Sequence, residues 1–297
     1  MSSQQVRRWL FALLLLAFLL PAQGRQQQER APAVAAQDES ALRFAILGDT
    51  GTGDDPQYEV GRRLAARRAV FPFEFVIMLG DNMYGGEGAK DFANKFEKPY
   101  APLLSGGIRF FASLGNHDDP ARQIVYKPFN MGSERFYTFK PRPDVRFFAL
   151  DSNYMDKRQF EWLNGALKSS GSEWKICFFH HPLYSSGEKH GPSLELRKTL
   201  EPLFMKYGVD VVFTGHEHFY ERIKPQHGIE YFILGNSAKL REDGVIAGSA
   251  ITAKAFDTDN AFMTAEIGKD ALTFQTISRN GAVIDSGKIV RSQSRME

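Results

Sequence analysis

The run "VDVVFTGHEH" ends in two histidines, His216 and His218, just past Gly215. Residues i and i+2 of a strand point to the same side, so the two imidazoles would face one direction together. A single His-x-His pair is weak support for a metal site, but similar arrangements recur along the chain. Asp49 follows "RFAILG", Asp81 and Tyr84 follow "FVIMLG", Asn116 and His117 follow "FFASLG", and His180 and His181 follow "WKICFF". Six of the seven histidines lie between 117 and 218, and five of those sit in such strand-end turns. Singly, each residue has an ordinary explanation: a turn acid, a left-handed Asn, a packed Tyr, a core His. As a set they supply carboxylates, an amide oxygen, imidazoles and a phenol, with no thiolate. Such donors suit Mn, Fe, Zn or Ni rather than a soft-metal centre. They outnumber what one tetrahedral zinc takes. A carboxylate such as Asp81 can bridge two ions, and two ions roughly 3.5–4 Å apart suit in-line displacement at phosphorus. The glycines before Asp49, Asp81, Asn116 and His216 are expected to allow tight turns and close backbone approach.

Strands must position these residues. The runs above, with "VRFFALDSN" and "IEYFILGNS", are almost continuously apolar, as in strands buried on both faces. Amphipathic helical patterns occur at 56–70, 90–104, 156–169 and 193–206, with Asp156 as N-cap of the third and Ser193 opening the fourth. The alternation predicts an α/β fold with a layered sheet core and a site beyond the carboxyl ends of the strands. After residue 245 the pattern is strands alone: "SAITAKAF", "AFMTAEIG", "ALTFQTIS" and "AVIDSGKIV", with Asn280-Gly281 as a hairpin signal. These are expected to complete a second sheet packed on the first.

In series, "GDTG", "GDNMY", "GNHD", "FFHHP" and "GHEH" resemble the signature blocks of calcineurin-like metallophosphoesterases. The resemblance spans about 43–240 and is closer still to the short, single-domain purple acid phosphatases. Two features point to the purple branch. Gly51 stands two after Asp49, where most metallophosphoesterases have a histidine, and Tyr84 stands three after Asp81, where the purple enzymes have their metal-bound tyrosine. The resemblance implies a four-layer αββα sandwich, two mixed β-sheets flanked by helices, as one catalytic domain over 42–292. It implies a ferric ion held by Asp49, Asp81, Tyr84 and His218. It implies a second, divalent ion, Fe(II), Zn(II) or Mn(II), held by Asp81, Asn116, His180 and His216. His117, and His190 in "EKHGP", would face substrate, one of them as proton donor, whereas His181 would not be a ligand. The implied activity is hydrolysis of small phosphate monoesters, with phosphoproteins as a further candidate class, by a metal-bound hydroxide. Asp118, Asp119 and Glu217 are expected beside the site or in turns, and Asp151 in a structural turn.

Residues 1–24 read as a secretory signal: Arg7 and Arg8, an apolar run to Leu20, then Pro21 and small residues. The run is short for a membrane span, so no stable span is expected in the mature chain, with an uncleaved anchor as the alternative. Residues 25–41 read as a polar, Ala-rich linker and 293–297 as a tail. The protein is therefore expected to be exported, secreted or periplasmic. Losing residues 1–24 removes two arginines and no acids, so the net charge of +2 falls to 0. No nucleic-acid partner is expected on that balance. Cys177, the one cysteine, reads as a buried small hydrophobe, and no internal disulfide is expected. Its solitude departs from the disulfide of the animal enzymes and suggests a different lineage. Two rivals stand beside the monoesterase: a phosphodiesterase on the same fold acting on nucleotides or lipids, and a non-catalytic exported protein that binds metal or phosphate.

Overall fold

The computed structural model describes residues 41–291. The expected signal at 1–24, the linker as far as residue 40 and the tail at 293–297 lie outside the described residues. In chain order the strands are β1 (Leu42–Leu47), β2 (Phe75–Leu79), β3 (Arg109–Ser113), β4 (Tyr137–Arg142), β5 (Val145–Ala149), β6 (Trp174–Phe179) and β7 (Val211–Thr214). They continue as β8 (Tyr220–Gln226), β9 (Ile229–Leu234), β10 (Thr252–Phe256), β11 (Ala261–Ile267), β12 (Ala271–Ser278) and β13 (Val283–Val290). The α-helices are α1 (Asp55–Val70), α2 (Ala89–Phe92), α3 (Ala101–Ser105), α4 (Pro120–Gln123), α5 (Lys157–Lys168) and α6 (Leu194–Tyr207). Among the described residues no helix is long and apolar enough to cross a membrane.

One sheet has the order β13-β12-β11-β1-β2-β3 and the other β10-β8-β9-β7-β6-β5-β4. Both are mixed. β1, β2 and β3 run parallel in the first, and β5, β6, β7 and β9 in the second. Parallel neighbours need crossover connections, which α1, α5 and α6 supply between β1–β2, β5–β6 and β6–β7. Side-chain alternation along the strands explains the layers. Leu42, Phe44 and Ile46 of β1 join a core with Phe147, Ile176, Phe178, Phe213 and Phe232 of the facing sheet. Ala45 and Leu47 pack instead with Val60 and Leu64 of α1. In β6, Trp174, Ile176 and Phe178 belong to the inter-sheet core, while Cys177 and Phe179 pack with Leu163 of α5 and Phe204 of α6. Both faces of the central strands are buried, which is why their sequences lack polar alternation. The result is the αββα sandwich that the motifs implied.

Contrary to the sequence-based expectation, the terminal strands do not together complete the second sheet but divide between the two. β10 pairs with β8 at the edge of the second sheet. β11 pairs antiparallel with β1 and carries β12 and β13 outward in the first. The free side of β1 accounts for this. β11 is buried along nearly its whole length, with Phe262 in the outer core and Met263, Ala265 and Ile267 in the inner one, so it fits a covered position beside β1. The segment 90–104 also differs from the continuous helix its pattern suggests. α2 passes into one wider π-type turn at Ala93–Glu97, and α3 starts afresh. Pro99 has no N–H to continue the ladder, and Pro102 sits in the first turn of α3, where proline is tolerated. Asp156 caps α5 as expected, accepting from Gln159 N–H at 2.8 Å, whereas Ser193 precedes α6 without a capping bond.

Cys177 is fully buried, and that burial pushes its thiol pKa up. A thiol reagent should therefore titrate no group in the native protein and one in denaturant. Reaction of the folded protein would mean that the layer under α5 and α6 opens.

Candidate metal centre

The carboxyl ends of β1, β2 and β3 meet those of β6, β7 and β9 at one rim, and main-chain bonds tie their turns together. Asp49 N–H donates to Gly80 O (3.1 Å), Gly215 N–H to His180 O (3.0 Å), Ser237 N–H to Gly48 O (3.1 Å) and Lys239 N–H to Asp49 O (3.2 Å). Asp49, Asp81 and His216 adopt left-handed backbone with φ of 55°, 49° and 71°. Asp and His tolerate that region better than most side chains. Of the four glycines that precede donors, only Gly80 is itself left-handed, at φ 87°. The others mainly provide clearance: a Cβ on Gly115 would overlap N and Oδ1 of Asp81, and one on Gly215 would overlap Asp49 Oδ2.

The turns bring all seven expected metal residues together in two clusters. Tyr84 Oη donates to Asp49 Oδ1 at 3.1 Å, and His218 Nε2 lies 3.3 Å from Tyr84 Oη and 3.4 Å from Asp49 Oδ1. In the second cluster, His180 Nε2 lies 3.0 Å from Asn116 Oδ1, 3.1 Å from His216 Nδ1 and 3.4 Å from Asp81 Oδ1. Asp81 belongs to both, because ligand atoms of Asp49, Asp81 and His180 lie within 4.8 Å of one another. The proton on His180 can be assigned. Its Nδ1 lies 3.0 Å from Leu79 O, a carbonyl that only accepts, so Nδ1 carries the hydrogen and Nε2 a lone pair. That lone pair faces Asn116 Oδ1 and Asp81 Oδ1, which are acceptors too. Several lone pairs converging on one point, with a carbonyl orienting the imidazole from behind, is the arrangement a cation requires.

The electrostatics point the same way. Burial, then the neighbouring Asp81, raises the Asp49 carboxyl well above its ordinary value. Burial and the adjacent imidazoles push His216 down to about 2, and burial followed by the Arg241 charge pushes His218 down to about 3. Burial also holds His180 well below an ordinary histidine. Burial and the Asp49 and Asp81 charges drive the Tyr84 phenol upward. The imidazoles thus stay neutral and available as ligands into acid conditions. The Asp49 carboxyl and the Tyr84 phenol, in turn, can ionise fully only opposite a positive charge.

Other expected residues surround this centre. His117 N–H donates to Asp81 Oδ1 at 3.0 Å, and its ring lies 4.9 Å from that of Tyr84. His190 brings its ring within 4.5 Å of His216. Glu217, fully buried, accepts from Gly191 N–H at 2.7 Å and pairs with Arg241 at 3.0 Å, so it fastens the loop of His190 to the turn of His216 and His218. Asp118 accepts from Met83 N–H (3.0 Å) and Gly115 N–H (2.7 Å) and links two of the turns. Asp119 caps α4, and Asp151 pairs with Arg135 in a buried turn. Sequence reasoning set His181 aside as a ligand, yet a ring nitrogen of His181 clusters with those of His180 and His216. It also passed over Lys239 and Arg241. Lys239 Nζ lies 4.5 Å from the Tyr84 ring centroid, and Arg241 Nη2 lies 3.3 Å from His190 Nε2. Their one signal was position, a few residues past "IEYFILGNS" at the same rim.

The clearance at Gly115 gives a direct test. Gly115→Ala should displace Asp81 and cut activity by about 10² or more, as misplacements near 1 Å do. The folded spectrum by circular dichroism should be unchanged. Wild-type turnover in that variant would show that the turn of Asp81 can shift freely.

A family model described as calcineurin-like phosphoesterase matches residues 42–220. Tartrate-resistant acid phosphatase type 5 of Rattus norvegicus is 28% identical over 268 residues, covering 76% of this chain and 79% of that protein. Purple acid phosphatase 17 of Arabidopsis thaliana is 25% identical over 270 residues, covering 77% of each. Among solved structures, the purple acid phosphatase PPD1 of yellow lupin superposes with a TM-score of 0.72 at 20% identity, over 87% of this chain and 55% of that one. GAP50, described as the anchor in the inner membrane complex of Plasmodium, superposes with a TM-score of 0.76 at 20% identity, over 86% and 90%. The two superpositions show a shared fold. With the family match covering more than half of its length, from β1 into β8, the chain belongs to the calcineurin-like phosphoesterase family.

Proposed function

We propose that the chain is an exported acid phosphatase that hydrolyses phosphate monoesters at a binuclear metal centre. The observation that carries this reading is the convergence of seven donor side chains into two clusters sharing Asp81. Asp49, Asp81, Tyr84 and His218 would hold one ion, Fe(III). Asp81, Asn116, His180 and His216 would hold the other, Fe(II), Zn(II) or Mn(II). Bound there, two cations would offset the charge of the phosphoryl oxygens and make water acidic enough to attack phosphorus at mildly acidic pH. The chain's own groups bind and protonate. His117, anchored through its main chain to Asp81, and His190, beside His216, flank the clusters. Either can hold a phosphoryl oxygen or deliver a proton to the departing ester oxygen. Arg241, next to His190, adds a permanent positive charge toward a bound dianion. The acid phosphatases among the relatives support the monoester class, with small esters as substrates and phosphoproteins as larger ones. Export rests on the pattern of residues 1–24.

A monoester offers a dianionic phosphoryl group to both clusters, whereas a diester has one charged oxygen fewer and a second substituent to house. The metal-loaded protein should show higher kcat/KM for p-nitrophenyl phosphate than for bis-p-nitrophenyl phosphate. The reverse order would favour a phosphodiesterase, and no turnover of either would favour a binding protein.

Tyr84 tests the identity of the first ion. Burial and two carboxylates oppose its ionisation, so a phenolate here needs a strongly charged, hard cation. A phenolate on Fe(III) should give a visible charge-transfer band. The purified protein should be violet and contain iron, and Tyr84→Phe should bleach it. A colourless, active, iron-loaded protein, or colour that survives the substitution, would rule out the ferric phenolate and leave the phosphatase reading intact.

A further inference from the structure

Beside Asn116 the rim opens into a cavity of about 470 Å³, walled in part by Ser152, Tyr154, His181, Ser193 and Leu196. None of these residues has a part in the chemistry above. We propose that this cavity receives the organic part of the substrate and takes a planar aromatic ring, carried by an aryl or a nucleoside monoester. The proposal rests on the monoesterase reading and adds the place where the ester's organic group is held.

The volume is that of a site for a small organic molecule rather than for phosphate alone. Its walls are fixed to the centre. Asn153 Nδ2 donates to Gly115 O at 3.2 Å and to Asp151 Oδ1 at 3.0 Å, which ties the wall to the turn bearing Asn116 and His117. Arg135 pairs with Asp151 at 2.9 Å and Asp156 at 3.0 Å, bracing the same turn from outside. The carbonyl of Tyr154 accepts from Gln159 Nε2 and from Asp156 N–H, both at 2.9 Å, so its backbone is held. Its side chain is not covered: Tyr154 remains 63% exposed, with the Arg135 guanidinium 5.6 Å from the ring centroid. A held backbone presenting an open aromatic ring is a stacking platform for another π-system.

The lining sets the chemistry of the guest. Tyr154 and Leu196 supply apolar surface. His181, whose Nδ1 lies 2.9 Å from Ser152 Oγ, adds a polar edge beside the donor clusters, and the Ser193 hydroxyl makes no capping bond to α6. The wall contains no lysine or arginine and includes the buried Asp118, so a second phosphate group is a poor fit. A neutral ring with one or two polar atoms is a good one.

The test compares phenyl phosphate, adenosine 5′-monophosphate and β-glycerophosphate as substrates of the metal-loaded full chain. Tyr154→Ala should lower kcat/KM about tenfold for at least one ring-bearing ester, through KM, and leave β-glycerophosphate unchanged, while Tyr154→Phe retains wild-type values. A loss confined to phenyl phosphate identifies the aryl ester as guest, and one confined to the nucleotide identifies the nucleoside. An equal change for all three esters, or none for any, overturns the proposal. Calorimetry of phenylphosphonate against methylphosphonate decides the cavity independently of turnover. The wild type should bind the phenyl compound more tightly, and Tyr154→Ala should erase that difference; equal affinities in the wild type overturn the proposal. Absence of turnover with every monoester would sink the phosphatase reading instead, and the calorimetry would still stand for the cavity.

Discussion

Two carboxylates, Asp49 and Asp81, lie side by side with almost no exposure to water. Like charges removed from solvent repel strongly, and a fold that holds them together must supply compensation. Part of it comes from neutral donors: His216 N–H to Asp49 at 2.9 Å, His117 N–H to Asp81 at 3.0 Å and the Tyr84 hydroxyl. These dipoles share the charge without cancelling it. Much of the local architecture serves this pair, including the left-handed turns at the acids themselves and the missing side chains of Gly115 and Gly215 that let other turns approach them.

The site was more legible in the sequence than the fold, for a physical reason. A donor must be a particular residue type, so Asp49, Asp81, Tyr84, Asn116, His180, His216 and His218 announced themselves by chemistry and by position at strand ends. The partition of strands between sheets left no such mark. β1 and β6 are equally apolar, and nothing in "LRFAIL" or "WKICFF" says that they belong to different sheets. The destination of β11 depended on which edge stood free, a long-range fact with no local signature. β4 and β8, half-polar strands near the sheet edges, lacked the apolar runs that marked the others.

The residues missed at the rim were missed for a related reason. Lys239 and Arg241 stand in a loop with surface-like composition, "AKLRED", and their significance arises from the backbone bond that returns Lys239 to Asp49. Of the two uses expected of the glycines, tight turns and close backbone approach, the first calls for a left-handed residue. Gly80 fits that description, but Gly115 and Gly215 act chiefly through the volume they leave empty. Single-sequence reasoning cannot separate these two uses of glycine, because both call for the same residue.

Each donor cluster draws on both sheets. Asp49 and Tyr84 follow strands of the first sheet and meet His218 from the second; Asp81 and Asn116 follow the first and meet His180 and His216 from the second. Elsewhere the sheets adhere mainly through apolar side chains, which attract without direction, with a few directional ties such as Tyr220 and Arg222 to Asp285. Any ion seated in the clusters would act as a rivet between the two halves, fixing their registry where chemistry needs it. Its binding free energy would then appear as cohesion of the whole sandwich, growing with the logarithm of ion concentration over dissociation constant. A melting temperature would accordingly report occupancy of the rim, whether or not any ester is being cleaved there.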